Sequence, residues 1–169
     1  MPALFLSYAV MWRLIGMIAI FAGPLAGPVG AESLSDGLRA YDAGRYATAA
    51  GIWSRLAEAG DVDAQTALAG LYVSAPPGVS YAPEKAAQLY RWAAEQGDAI
   101  AWMNLGDFYA KGVGVERDFG RAAFWLRLAS EAGYAWASER LRKIAPMMNA
   151  DDEVTLNRLR ADWSDKHRK

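Results

Sequence analysis

Three glutamates recur along the chain, Glu58, Glu95 and Glu131, each close to a glycine. Carboxylate pairs can share acid–base work in hydrolysis, so these are the first candidates for chemistry. Their recurrence at a repeat spacing argues for structure instead. Each falls near the C-terminal end of a predicted helix, where the helix dipole does not favour negative charge. A hydrogen bond to a neighbouring repeat is the expected reason for keeping it. Asp151-Asp152-Glu153 is a second acidic group, placed in the first turn of the last predicted helix, where negative charge is favoured. The only histidine is His167. A Ser-His-Asp triad or a histidine metal site would rest on a chain end, Lys166–Lys169, that is expected to fray. Cysteine is absent, which excludes disulfides, thiolate-bound zinc, a cysteine nucleophile and a lipidated N-terminal cysteine. Gly112-x-Gly114 follows a helical pattern rather than a strand, so it does not make a phosphate loop. The expectation is a non-catalytic protein with no cofactor and no metal.

What these residues sit on is a helical pattern. Ala101, Leu105, Phe108 and Tyr109 share one face of a helix. Gly106 lies inside that face and costs about 1 kcal/mol relative to alanine, which calls for close approach by the next helix. Gly112 and Gly114 then reverse the chain by supplying positive φ. Asp118 is the expected N-cap of a second helix. That helix carries Ala122, Trp125, Leu126 and Ala129 inward and stops at Gly133. Two such helices pack as an antiparallel pair.

One pair cannot bury both of its faces, so copies are required. Ala64, Leu68, Ala69 and Tyr72 match Ala101, Leu105, Gly106 and Tyr109 at an offset of 37 residues. Ala86, Tyr90, Ala93, Glu95 and Gly97 match Ala122, Leu126, Ala129, Glu131 and Gly133 at an offset of 36. The extra residue falls in the Ser74–Pro83 loop, which lacks the first glycine. A fainter copy holds Ala50, Trp53, Ala57, Glu58 and Gly60. Its helices are predicted over Ser33–Asp42, with Leu34, Leu38 and Tyr41 on one face, and over Tyr46–Ala59. Downstream, a helix is predicted over Ala135–Ile144, stopped by Pro146. Asn149 and Asp152 then form a near capping box for a last helix with an apolar stripe of Leu156, Leu159 and Trp163. That helix suits the polar-faced end that a solenoid needs. Trp53 and Trp125 fall on inward stripes, and Trp163 is the expected anchor of the last helix.

The run carried by Leu105, Gly106, Tyr109, Gly112, Gly114, Val115, Asp118, Ala122, Trp125, Ala129, Glu131 and Gly133 resembles the Sel-one-like repeat, a relative of the tetratricopeptide repeat. The resemblance spans roughly residues 33–145, with residues 33–62 closer to a generic tetratricopeptide unit. It implies an all-α fold, a short right-handed α-solenoid of antiparallel helix pairs. It also implies an interaction scaffold without enzyme activity of its own. By the same resemblance, the first helix of each pair lines a concave groove. Its candidate partner-binding residues are then Asp63, Thr66, Ile100, Met103, Asp107, Lys111 and Trp136, and a mixed aromatic–polar strip suits a bound peptide. Trp92 and Leu128 stand where the family usually has lysine, a usage that Arg55 keeps. They form an alternative apolar patch unless they pack against the C-terminal helix.

Composition bounds the rest. The net charge of −1 implies neither a nucleic-acid partner nor an acidic tail. Residues 1–31 hold a single charge, Arg13, and Leu14 to Ala26 is apolar. Pro24 and Pro28 follow, and Val29-Gly30-Ala31 offers small residues before Glu32. This is the layout of a secretory signal peptide cleaved after Ala31, with translation starting at Met1 or Met11. The competing reading is an uncleaved membrane anchor, for which the apolar run is short against the ~20 residues of a span. The expected organisation is residues 1–31 as signal, 32–145 as helical repeats and 146–169 as capping helix and tail. The expected protein is periplasmic or secreted and binds a protein or peptide partner. A polysaccharide- or peptidoglycan-binding module is the alternative, as is a membrane-anchored scaffold.

Overall fold

Helices form here because apolar side chains recur every three to four residues between strong stop signals. In the computed structural model, residues 32–168 are described. The predicted signal segment, its cleavage after Ala31 and the choice of start lie outside the described residues. Among the described residues eight α-helices follow one another: α1 (Leu34–Asp42), α2 (Tyr46–Glu58), α3 (Val62–Ser74), α4 (Pro83–Glu95), α5 (Ala99–Lys111), α6 (Phe119–Glu131), α7 (Ala135–Ile144) and α8 (Ala150–His167). A 3-10 turn, Ala145–Met147, joins the last two. Three aspartates start the central helices. The Asp61 carboxylate accepts from the Ala64 N–H at 2.8 Å, Asp98 caps α5 in the same way, and Asp118 caps α6 as the sequence predicts.

The helices pair as α1/α2, α3/α4 and α5/α6, and each second helix also packs on the next first helix. The seams are built from alanine. Ala49, Ala64, Ala69, Ala86, Ala93, Ala101, Ala122, Ala129 and Ala137 are fully buried, so backbones come close while Leu71, Leu105 and Leu126 fill the space between them. Gly106 shows the close approach its mid-helix position calls for. A Cβ built there would lie 2.6 Å from Cγ of Leu126. The middle loop solves its missing glycine at a cost. Ala75 takes the left-handed cap conformation (φ 44°) that Gly112 takes one repeat later, a strain of about 1 kcal/mol for a residue with a Cβ.

Three features go beyond the helical spacing. Leu38 and Tyr41 are exposed. The helix α1 seats on α2 through Gly37 and Ala40 instead, with Gly37 against the Trp53 indole. Tyr41 still lies 5.2 Å from the Tyr46 ring and 5.9 Å from the Trp53 indole, and Leu34 packs partly buried against the core. The chain end does not fray at Lys166. Helix α8 runs to His167, whose ring stacks on Trp163 at 4.0 Å and whose Nδ1 bonds to the Trp163 carbonyl at 2.8 Å. Finally, α7 and α8 do not make a fourth helical pair. Helix α8 starts at a full Asn149/Asp152 capping box and packs along α6. Gly120 permits this, since a Cβ there would run into the Asp152 carbonyl and the Thr155 side chain. Leu156 is buried against this seam. Trp163 sits edge-on to Phe124, Trp125 and Trp102 at 5.8, 5.8 and 6.1 Å.

Candidate functional site

The strip on the first helices is best built from Trp136 outward. Trp136 opens α7 and Ile100 opens α5, at equivalent positions 36 residues apart. Both are exposed, at 42% and 47% of their surface. The indole of Trp136 is not loose. The Arg140 guanidinium, one helical turn on, lies 4.8 Å from its ring centroid, a cation–π geometry. Arg140 is in turn held by Asp107 of α5, Nε to Oδ1 3.1 Å and Nη2 to Oδ2 3.1 Å. Lys111 closes the set by pairing with the same carboxylate. Asp107, Lys111 and Trp136 therefore form one network with Arg140, and that network ties α5 to α7. Asp107 is neutralised by two cations, which fits a positioning role rather than proton transfer.

The other strip residues lie elsewhere. Met103 is half-buried against the core. Thr66 donates its hydroxyl to Asp98 Oδ1 at 3.2 Å, so it joins α3 to the cap of α5. Asp63 is exposed and has no cationic partner among the described residues. Trp92 and Leu128 line different crevices. Trp92, 44% exposed, lines a crevice of about 270 Å³ with Glu58, Leu68, Tyr72 and Leu89. Leu128 is half-buried and lines a different crevice of about 180 Å³ with Trp163 and Arg160 of α8. A larger polar crevice, about 560 Å³, lies between the α5–α6 loop and the start of α8, among Arg91, Tyr109, Arg117, Arg121 and Asp151. There Arg91 donates to the Tyr109 hydroxyl at 3.1 Å and Arg121 pairs with Asp118 at 3.2 Å. None of the three crevices is lined by a residue of the first-helix strip.

Two further hydrogen bonds between repeats come from residues that spacing alone did not mark. Gln65 Nε2 donates to the Ala57 carbonyl at 3.2 Å, and Trp102 Nε1 donates to the Ala94 carbonyl at 2.8 Å. The two donors are 37 residues apart and do the same work, a side-chain N–H reaching the last turn of the preceding second helix. A signal existed in their equal offset, but glutamine and tryptophan look unlike. The glutamates expected in this role do not fill it. Glu58 accepts from Ser54 in its own helix at 3.2 Å, and Glu131 lines the crevice beside α8. Among the described residues, no group of three or more His, Asp or Glu is placed to hold a metal ion.

With this geometry in place, comparison with known proteins is direct. The Sel1 repeat family model matches residues 62–98 and 99–134, the α3/α4 and α5/α6 pairs with their trailing caps. The chain carries two Sel1 repeats. Among solved structures, a Sel1 repeat protein from Oxalobacter formigenes is 32% identical, with a TM-score of 0.61 over 66% of this chain and 46% of that one. A protective antigen of uropathogenic Escherichia coli strains, displaying an SLR fold, is 29% identical with a TM-score of 0.57, over 65% of this chain and 26% of that one. Curated relatives are much longer. The chitin synthase regulator SKT5 of Malassezia restricta is 36% identical over 55% of this chain, which spans 7% of that protein. The DAP3-binding cell death enhancer 1 of Rattus norvegicus is 33% identical over 57% of this chain, which spans 18% of that protein. Sel1 repeats are scaffolds for protein–protein interaction. The α1/α2 pair and the α7–α8 end lie outside the matched residues, so the Sel1 pattern covers the middle of the stack.

Proposed function

We propose that the protein is an exported, non-catalytic scaffold that binds a partner's peptide or loop along its first helices. The observation that carries this is the clamped indole of Trp136. An exposed aromatic ring, held by Arg140 and Asp107 and matched by exposed Ile100 on the preceding repeat, is a rigid apolar anchor. Such anchors cost little side-chain entropy on binding and dominate interface energetics. Lys111, paired with the same Asp107 carboxylate, supplies the polar rim. A relative named for binding another protein supports the same class of function. Export rests on the apolar run Leu14–Ala26 and the small residues before Glu32, and places the protein in the periplasm or outside the cell. Among the described residues no helix is long and apolar enough to cross a membrane.

The test compares wild type with an Ile100→Asp, Trp136→Ala double variant, both sites being exposed enough to leave the fold intact. A defined partner captured from envelope extract by wild type and lost by the variant supports the strip. Equal capture by both moves the site off the first helices. Quenching of tryptophan fluorescence by soluble peptidoglycan fragments, lost in the same variant, would transfer the strip to a sugar ligand.

A further inference from the structure

The polar crevice of about 560 Å³ gathers hydrogen-bond donors that the protein itself does not use. Arg91 of α4 donates Nη2 to the Tyr109 hydroxyl at 3.1 Å and forms no ion pair among the described residues. Tyr109 is only 4% exposed, and its own O–H finds no acceptor among the described residues. The Arg121 guanidinium lies 5.5 Å from the Tyr109 ring centroid and pairs with Asp118 through Nε. The repeat does not require Arg91. The preceding repeat keeps the tyrosine and its cation, Tyr72 with Lys85 at 5.8 Å. It has Ser54 at the position of Arg91, and Ser54 bonds to Glu58 in its own helix. A buried hydroxyl and a half-buried cation short of acceptors cost stability, which a ligand rich in acceptors recovers.

Two glycines hold the walls in place. A Cβ on Gly114 would lie 2.2 Å from the Pro83 carbonyl oxygen, so the α5–α6 loop rests directly on the start of α4. Gly120 seats the first turn of α8 as another wall. On that turn Asp152 uses its carboxylate on the Gly120 and Asn149 N–H groups, at 3.3 and 2.9 Å. The Asp151 carboxylate has no cationic partner among the described residues. Glu116 and Arg117, both exposed, offset each other in charge. The lining as a whole holds three arginines and four carboxylates, a balance that disfavours a multiply charged anion such as phosphate. We propose that this crevice binds a short zwitterionic peptide. Its C-terminal carboxylate accepts from Arg91 and from the Tyr109 hydroxyl, and its ammonium donates to Asp151. Arg91 and Asp151 do not bond to each other, so a ligand with complementary ends can bridge them by charge-assisted hydrogen bonds. The free volume falls within the range of small-ligand sites.

The test is isothermal titration calorimetry of the full chain with tri-alanine, whose methyl side chains leave recognition to the two termini. Binding is expected to weaken about tenfold when the C-terminus is amidated and severalfold when the N-terminus is acetylated. Arg91→Ala removes the preference for acid over amide, and Arg91→Lys, which keeps the charge but not the fork, retains part of it. Tyr109→Phe reduces the preference. Asp151→Asn weakens tri-alanine severalfold and leaves N-acetyl-tri-alanine unchanged. Equal affinity for acid and amide would overturn the proposal, as would indifference to Arg91→Ala at a wild-type melting temperature. The same holds for an absence of heat at millimolar peptide, or for inorganic phosphate binding more tightly than tri-alanine. A ten-residue peptide ending in three alanines that matches tri-alanine would show that only the carboxylate is read. That result would overturn the bridged geometry in favour of a protein's C-terminus. The Ile100→Asp, Trp136→Ala variant keeps tri-alanine binding, so the strip and the crevice fail or stand separately.

Discussion

Gly106 is where a single atom decides stability. Its missing Cβ is the space that Leu126 occupies, and the position was legible in the sequence because a mid-helix glycine on an apolar face needs a reason. Gly106→Leu is predicted to destabilise by about 1–3 kcal/mol through overpacking. A melting temperature equal to wild type would show that α5 and α6 have room to spare there. Tyr90 makes a second prediction. Burial, aided by the negative charge of Asp98, pushes its hydroxyl pKa up to about 12. The folded state thus holds a proton that an unfolded tyrosine releases near pH 10. Its contribution is fully present below about pH 10 and is lost as pH rises toward about 12, on the order of 2–3 kcal/mol. Denaturant midpoints should fall over that window in wild type and fall less in Tyr90→Phe. Other residues stayed hidden. Gln65 and Trp102 bridge repeats in the same way, but periodicity compares residue types, and an amide matches an indole only through its N–H.

At the scale of helices, the order α1 to α8 followed from apolar spacing, aspartate caps and glycine stops, all local signals. Placement of the last helix did not. The Asn149/Asp152 box and the Leu156–Leu159–Trp163 stripe foretold a helix with one apolar face, yet they carry no address. The address is Gly120, which opens the flank of α6 to the Asp152 carbonyl. In sequence it reads as an ordinary residue of a helix's first turn. Gly120→Ala is predicted to lift α8 while leaving α1–α7 folded. Hydrogen exchange should then lose protection in residues 150–167 and keep it in α3–α6, with altered Trp163 fluorescence. Protection unchanged across α8 would mean that Trp163 alone holds the helix down. The exposure of Leu38 has a related cause. A helical stripe shows that a face is apolar, not whether a neighbour exists to cover it.

At the scale of the molecule, the candidate partner strip and the Trp92 crevice lie on different rows of helices. The strip runs along α5 and α7, fixed by the Asp107–Arg140–Trp136 chain, and the crevice lies between α2 and α4. The strip residues were named through the resemblance to tetratricopeptide units, whereas the clamp on Trp136 was not visible in the sequence, because Arg140 reaches it from within α7 and is held by a residue of the preceding repeat.

The seat of α8 has a consequence for descent. Its footprint falls on α6 and on Trp102 of α5, so everything it needs is contained in the last full repeat. A tandem gene duplication of residues 99–134 would carry a complete seat with it and leave the terminal helix correctly docked on the newer copy. Arrays of this kind can therefore lengthen from within, one repeat at a time, without reinventing their end. A copy of residues 62–98 inserted after Tyr134 would instead part the terminal helix from its glycine, because that repeat carries Glu84 at the equivalent position. Gly120 records which of those histories the chain could survive.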